Sequence, residues 1–355
     1  ITSGNAIGKL LIGPLFGFIA GWLIDKYGPR SLMMTGIVFA AIALVGLSFT
    51  ASLPMFYTFF VFNALGYVLA GPLPCQVLIS RWFDKNRGKA MGIAYLGIGA
   101  GGALAPLVSS GLESSFNDWH TALALLGVLV LLLAFPFAFF IKDPKTPPAA
   151  GKSSQNTAVP VKDILRNRNF YLLGIGSMCS IGAVAGVNQH LKLYLRDFDF
   201  GQSEAAQVMS LVLLSSLAGR VLMGFLADLI SRKYVMMIIY TIVAFAIPLL
   251  LVPDFSGRIY IFAVIFGIGL GGDYMIIPLI AGDLFGVKAL GRTMGIILVA
   301  DGISEALFPM FVGMFHEGAS HGYTAGFIML IGVALLGLLI VSFLPKTGNA
   351  ETVKT

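Results

Sequence analysis

Charged residues are scarce in this chain. Asp, Glu, Lys and Arg together make up 11% of its 355 residues, whereas hydrophobic residues make up 57%. Soluble domains carry about 25% charged residues, which keep their surfaces in water. The composition therefore excludes a water-soluble globule and predicts a protein whose solvent is the lipid bilayer.

Cysteine and histidine are also rare, and their positions exclude several kinds of site. Cys75 and Cys179 both fall inside apolar segments, so neither favours a disulfide framework or a zinc site. The histidines stand at the ends of apolar runs or between them: His120, His190, His316 and His321. No metal cluster and no nucleophile beside a base is visible, so we expect no metal, no cofactor and no enzymatic activity.

Basic residues outnumber acidic ones by 23 to 17, but their placement does not suit nucleic-acid binding. They lie in short connections between apolar runs, where the positive-inside rule puts them. If the connection at 25–31 is cytoplasmic, eighteen of the 23 Lys and Arg residues are on that side and three on the other. We therefore expect no nucleic-acid partner, and predict a protein of the cell (inner) membrane whose central linker and C-terminus are cytoplasmic.

Apolar runs long enough to cross a bilayer, which takes about 20 residues, occur eleven times in the sequence. They are 5–24, 32–50, 56–80, 90–111, 119–141, 169–191, 204–227, 234–252, 258–280, 293–315 and 322–344. Each is predicted to be a membrane-spanning helix.

A polar stretch separates the first five runs from the last six. Residues 143–168 combine several prolines with a Gly/Ser/Gln patch, which is typical of a flexible linker. We predict an N-terminal bundle at 1–142, a cytoplasmic linker at 143–168, a C-terminal bundle at 169–345 and a cytoplasmic tail at 346–355.

The same short pattern occurs in both halves, 203 positions apart. A glycine and an aspartate have this offset: Gly21 and Asp25 in the first half, and Gly224 and Asp228 in the second. An arginine follows in each half, Arg30 and Arg232, at an offset of 202. Homologous halves in an apolar chain are typical of transporters with a substrate site between the halves, near the middle of the membrane. Applied to 169–191, the offset points before residue 1, so we expect a further first helix in the intact protein. The predicted fold is all-α, with two six-helix membrane bundles.

The repeated aspartates suggest a gating device. Asp25 and Asp228 stand at the ends of predicted helices, where a carboxylate can accept hydrogen bonds from the N-terminal amides of a neighbouring helix. They can also pair with Arg30 or Arg232. Ordinary helix-end charges that obey the topology rule are the alternative. If they are functional, these residues would gate rather than bind substrate.

Three charges fall near the middle of the membrane, on three different predicted helices. Arg220, Asp273 and Asp301 each lie about 12 to 15 Å from the inner end of their helix, and a charge at such depth costs about 2.5 to 3.5 kcal/mol. We expect the opposite charges to neutralise one another and the surplus carboxylate to carry a proton. Glu305, one turn beyond Asp301, is a second proton carrier. A salt bridge that only holds helices together is the alternative.

Several polar side chains complete the predicted site. Tyr274 beside Asp273, and Ser216 one turn from Arg220, are placed to supply hydrogen bonds. In the first half, the candidates for lining the cavity are Asn63, Tyr67 and Gln76.

The segment G-x-x-x-D-K-x-G-x-R at Gly21–Arg30 resembles the loop motif of the major facilitator superfamily. RWFDKNRGKAMGI and GRVLMGFLAD resemble its monocarboxylate porter and oxalate/formate antiporter branch. In that branch an arginine four residues before the glycine of the second loop motif contacts the substrate carboxylate, which implies this role for Arg220. The antiporters carry a lysine where this chain has Asp301, so a clamp of two cations on a dicarboxylate is not expected.

The combined prediction is a monomeric secondary transporter of a small organic anion, a monocarboxylate coupled to protons, that works by alternating access. Arg220 would bind the carboxylate, and Asp273, Asp301 or Glu305 would exchange the proton. The first alternative is a transporter of a cationic or zwitterionic compound, including drug-type efflux, that uses the acidic residues. The second is a membrane sensor that binds a ligand without moving it.

Overall fold

The computed structural model describes residues 16–142, 160–198, 200–252, 257–318 and 322–347. Throughout these ranges the regular structure is helical. α1 covers residues 16–27. The other helices are α2 (Pro29–Ser48), α3 (Leu53–Ala70), α4 (Pro72–Trp82), α5 (Arg87–Phe116), α6 (Trp119–Phe140), α7 (Val161–Arg166), α8 (Arg168–Asp197), α9 (Gln202–Leu229), α10 (Arg232–Ala246), α11 (Arg258–Phe285), α12 (Leu290–Gly318) and α13 (Thr324–Ser342).

Ten helices of the described chain are long and apolar enough to cross a membrane. They coincide with the ten runs predicted after the first, and α3 and α4 together form one of them, Leu53–Trp82. The all-helical membrane fold is therefore confirmed. Most of the first predicted run, 5–24, lies outside the described residues.

The turn between α1 and α2 explains two residues of the loop motif. Gly28 has a φ of 84°, in the left-handed region that glycine enters without steric cost. Pro29 then occupies the first position of α2, where its missing N–H is no loss. Gly28 and Pro29 of the motif thus form the turn that follows Asp25 and begins α2.

The predicted linker is only partly described, because residues 143–159 lie outside the described ranges. Its last part is helical. Val161–Arg166 forms the short helix α7, and its Ile164 is fully buried in a core cluster to which both halves contribute. An apolar side chain with such a site favours order even in a polar segment. The division into two bundles at 142 and 169 stays a prediction.

The two halves meet through glycines. A Cβ on Gly21 would overlap the carbonyl oxygen of Gly291, and one on Gly224 would lie 2.6 Å from the carbonyl oxygen of Gly88. Only glycine lets the backbones of α1 and α12, and of α5 and α9, approach so closely. Farther along α5, a Cβ on Gly101 or Gly111 would meet no described atom within 4 Å. The glycine seams therefore lie at one end of the bundle, which carries the repeated aspartates.

Candidate functional site

Asp228, at the end of α9, binds the first turn of α5 in the other half. Its Oδ1 accepts a hydrogen bond from the backbone N–H of Gly88 and its Oδ2 one from Lys89, both at 2.8 Å. The first amides of a helix have no partner within the helix, and the helix dipole favours a negative charge there. Asp228, in the second half, supplies both the hydrogen-bond acceptors and the negative charge to α5 in the first half.

Asp25 makes the corresponding contact at α12. Its Oδ2 accepts a hydrogen bond from the backbone N–H of Arg292 at 3.1 Å and lies 3.2 Å from Nε of the Arg292 side chain. Burial raises the pKa of this carboxyl from 3.8 to about 6, against the opposing effect of the Arg292 amide and guanidinium. We call the contacts of Asp25 and Asp228 the two latches.

The arginines of the repeated pattern have other partners. Arg30 donates to the carbonyl oxygen of Phe139 at 2.6 Å and lies over the Phe139 ring. Arg232, which is 2% exposed, pairs with Asp283 at 2.5 Å. Each arginine thus fastens α2 or α10 to a helix of its own half. Of the two contacts expected for the aspartates, the structure shows the one to helix N-termini; a gating role stays a prediction.

Arg220 faces the other half rather than the acids of its own. Its guanidinium donates to the carbonyl oxygen of Tyr95 on α5 at 2.6 Å. No carboxylate of the described residues lies within salt-bridge distance of it. The expected neutralisation of Arg220 by Asp273 or Asp301 is therefore wrong for this conformation. All three residues lie in the interior of long helices, but Arg220 lies on the face of α9 that meets α5.

A row of hydrogen bonds crosses between the halves beside Arg220. Gln76 on α4, which is 2% exposed, donates to the hydroxyl of Tyr95. That hydroxyl lies 3.5 Å from the carbonyl oxygen of Tyr274, and the Tyr274 hydroxyl donates to Glu305. Polar groups of α4, α5, α11 and α12 are therefore linked by hydrogen bonds between the halves.

Two prolines provide acceptors in this row. Pro278 lies inside α11 and Pro309 inside α12. Proline has no N–H, so the carbonyl four residues earlier loses its helical partner. In α11 that carbonyl belongs to Tyr274. In α12 it belongs to Glu305, and Gln189 donates to it at 3.4 Å.

The other two intramembrane acids are enclosed within the second half. Asp273 is fully buried and accepts a hydrogen bond from Ser180 at 2.8 Å. Asp301 is 3% exposed and accepts one from Ser177 at 2.7 Å. Both serines belong to α8 and stand three residues apart, so they share a face of that helix. The acids therefore lie side by side against α8, apart from Arg220.

The remaining predicted residues differ in placement. Tyr67 on α3 is 67% exposed and within electrostatic range of Glu305. Asn63, one turn earlier, is also exposed. Ser216 is buried, and its hydroxyl donates to the Leu213 carbonyl of its own helix at 2.8 Å. Tyr67 is thus near the convergent row, whereas Ser216 is not turned toward Arg220.

Sequence reasoning missed three residues that contact the predicted ones: Tyr95, Ser177 and Ser180. Tyr95 stands among glycines, which drew attention to helix packing rather than to its hydroxyl. The pair Ser177 and Ser180 had a usable signal, since two hydroxyls three residues apart share one face of an apolar helix.

The model of the Major Facilitator Superfamily matches residues 7–221 and 196–354, which together cover nearly the whole chain. The chain belongs to the Major Facilitator Superfamily. A solved member, the fucose:proton symporter of E. coli, superimposes with a TM-score of 0.75 at 15% identity, over 98% of this chain and 91% of the symporter. As a superfamily member, the chain is an integral membrane transporter and not an enzyme.

Curated superfamily members resemble the chain over most of their length. Monocarboxylate transporter 13 of Rattus norvegicus is 26% identical over 95% of this chain and 78% of that protein. The fujikurins efflux protein of Gibberella fujikuroi is 25% identical over 91% of this chain and 70% of that protein. The resemblance to a monocarboxylate transporter agrees with the branch that the motifs suggest.

Proposed function

We propose that this superfamily member transports a small organic anion, a monocarboxylate coupled to protons. The observation that carries the proposal is Arg220. It lies half-buried where the halves meet, and its hydrogen-bond acceptor there is a neutral carbonyl rather than a carboxylate. A cation at that depth needs a counter-charge, and a substrate carboxylate is the counter-charge that a transporter can exchange.

The chemistry of arginine suits this role. Its planar guanidinium presents donors in a fork that matches the two oxygens of a carboxylate. One of these donors already binds the Tyr95 carbonyl, which fixes the orientation of the side chain. Gln76 and Tyr274 stand in the adjacent row and supply further polar contacts. Tyr67 and Asn63 of α3 are proposed to contribute as well, while Ser216 would have to turn its hydroxyl to take part.

Glu305 is the acid best placed to exchange a proton with this space. It is half-buried, accepts a hydrogen bond from Tyr274 and lies within electrostatic range of Asp301 and Tyr67. Asp273 and Asp301 lie deeper and are the further candidates. An anion on Arg220 and a proton on an acid together add no net charge, which lowers the electrostatic cost of carrying them through the membrane.

Alternating access follows from the two latches. In this conformation both are formed at one end of the bundle, and the glycine seams close that end. Opening it requires both carboxylates to leave the helix N-termini, so that the halves rock about the central site. By the positive-inside rule this end is cytoplasmic, with the central linker and the C-terminus on the same side of the cell membrane. We infer a monomer of two bundles as the transporting unit.

A second candidate function is efflux of a cationic or zwitterionic compound. It is favoured by the excess of acidic over basic side chains in the spans and by the relative named as an efflux protein. In that case Asp273, Asp301 and Glu305 would bind the compound, and Arg220 would only hold the halves together.

Substitution of Arg220 by lysine tests the proposal. The full-length protein in proteoliposomes should lose uptake of labelled monocarboxylates by at least about tenfold, because lysine keeps the charge but not the fork. Arg196→Lys, at the exposed end of α8, is the matched control and should transport normally. Unchanged uptake by Arg220→Lys would refute the assignment, and competition by amines but not by carboxylates would favour efflux.

A further inference from the structure

Each acid of the enclosed pair leaves one buried carboxyl oxygen without a hydrogen-bond partner. Ser180 binds Oδ2 of Asp273 and Ser177 binds Oδ1 of Asp301. Oδ1 of Asp273 and Oδ2 of Asp301 have no partner in the described part of the chain. Burying a polar group unpaired is costly, and burying a charge unpaired more so. Two such atoms on neighbouring helices suggest a ligand that binds both.

A third unpartnered oxygen comes from a different helix. Tyr240 on α10 is fully buried, and its hydroxyl has no hydrogen-bond partner among the described residues. Asp273 and Asp301 are its main electrostatic neighbours. A buried tyrosine hydroxyl normally finds a partner. This one has none within hydrogen-bond distance, so three unpartnered oxygens, from α10, α11 and α12, belong to one group of electrostatic neighbours.

The three unpartnered oxygens define the class of ligand. All are hard donors, and the lone pairs of Ser177 and Ser180 add two more, which is the chemistry that alkali and alkaline-earth cations prefer. A proton joins only two oxygens that are at hydrogen-bond distance, whereas a cation can bind several oxygens that are farther apart. The described residues hold no group of three His, Cys, Asp or Glu side chains suited to a metal ion. These five oxygens are fewer than the six to eight that a calcium ion takes, so we choose a monovalent cation, with the second carboxylate protonated.

We propose that Asp273, Asp301 and Tyr240 bind a sodium ion inside the second half, separate from the anion site at Arg220. The ion neutralises one carboxylate, and a proton neutralises the other. Glu305 lies one turn from Asp301 and within electrostatic range of it. The ion would therefore pass Glu305 on its way from between the halves to the sodium site. The role of the ion as a second coupling ion rests on the proposed transport function; its binding does not.

Sodium binding is measured by thermal unfolding of the full-length protein in detergent. Sodium is exchanged for choline at fixed chloride, ionic strength and pH, and potassium is the second control. We expect the apparent melting temperature to rise with sodium and to saturate, because a ligand that binds only the folded state stabilises it. Equal melting temperatures in sodium, potassium and choline would overturn the proposal.

Tyr240→Phe is the sharpest variant, because phenylalanine fills the same space and removes only the oxygen. The half-maximal sodium concentration should rise about tenfold or more, as it should for Asp301→Asn. If both variants titrate like the wild type, the ion binds elsewhere and the assigned site is wrong. Should either variant fail to fold, Ser177→Ala, which keeps both carboxylates and the tyrosine, is expected to weaken sodium binding in the same direction.

Arg220→Lys separates the two proposals. It should keep the sodium-dependent shift and lose the shift caused by monocarboxylates. Loss of the anion shift together with a normal sodium titration supports both assignments. An anion shift that persists in Arg220→Lys contradicts the anion site alone, and a missing sodium shift in the wild type contradicts the sodium site alone.

Discussion

Asp228→Asn should open the latched end of the transporter. The substitution keeps the shape of the side chain but removes its charge and one of its two acceptor oxygens. Asp228 now accepts two backbone hydrogen bonds at 2.8 Å from the first turn of α5. An asparagine can accept only one of them, and its amide group would face an N–H that also needs an acceptor.

The magnitude follows from these contacts. A hydrogen bond to a charged group contributes about 1.5 to 3 kcal/mol, and the charge at a helix N-terminus about 0.3 to 1 kcal/mol more. Because Asp228 is partly exposed, we expect a loss of about 2 to 3 kcal/mol. That changes the ratio of open to closed protein by about 30- to 150-fold. A population with about 1% of the open form would then contain about 20 to 60% of it.

Distances between spin labels measure this change. Phe83 and Leu229 are 46% and 64% exposed near the two ends that the latch joins, so labels at these positions should report separation of α5 from α9. Cys75 and Cys179 are first replaced by serine. The variant should show a second, longer distance that the parent protein lacks.

Asp84→Asn is the matched control. It also removes a carboxylate at the same end, but Asp84 is exposed and pairs with Arg87 within its own segment, and pairs at the surface contribute about 0 to 1 kcal/mol. The contact that Arg87 makes with Asp283 of the other half, at 3.9 Å, does not involve Asp84. Its distance distribution should stay that of the parent. If Asp228→Asn leaves the distribution unchanged, or if both variants change it equally, the latch does not hold the halves together.

Two further predictions concern the seams and the other latch. Gly88→Ala should weaken the closed state and lower the melting temperature, because the new Cβ would overlap the backbone of α9, whereas Gly111→Ala meets open space and should leave the melting temperature unchanged. The pKa of Asp25 is raised from 3.8 to about 6 in the folded protein, so its contribution to stability is complete below about pH 4 and is lost as the pH rises through 6. The loss amounts to about 3 kcal/mol at 1.4 kcal/mol per pKa unit, and thermal melts from pH 4 to 8 should show a flatter profile for Asp25→Asn than for the wild type.

Position along a helix was predictable from the sequence, but the direction in which a side chain points was not. The apolar runs and the repeated motif predicted the spans and the depth of the charged residues, because both depend on distance along the chain. The expected pairing of Arg220 with an acid needed the rotation of three helices about their axes. That rotation is set by packing between α9 and α5 and has no signature in a single helix.

The same reason explains the residues that were missed. Tyr95 joins the halves because glycines let α5 approach α9 and because Pro278 frees the Tyr274 carbonyl in α11. Each feature is visible in the sequence, yet their combination exists only once the helices are assembled. The contacts of Asp25 and Asp228 were easier to predict, because the same pattern occurs in both halves and one explanation had to fit both aspartates.

The exchange of contacts between the halves has a mechanical consequence. Asp25 belongs to the first half and binds the second, whereas Asp228 belongs to the second half and binds the first. The two contacts are related by the internal repeat. We predict that rotating the halves apart breaks both latches at once, so that the closed end opens in a single step without a stable half-open state. A covalent cross-link across one glycine seam should therefore also prevent the other seam from separating.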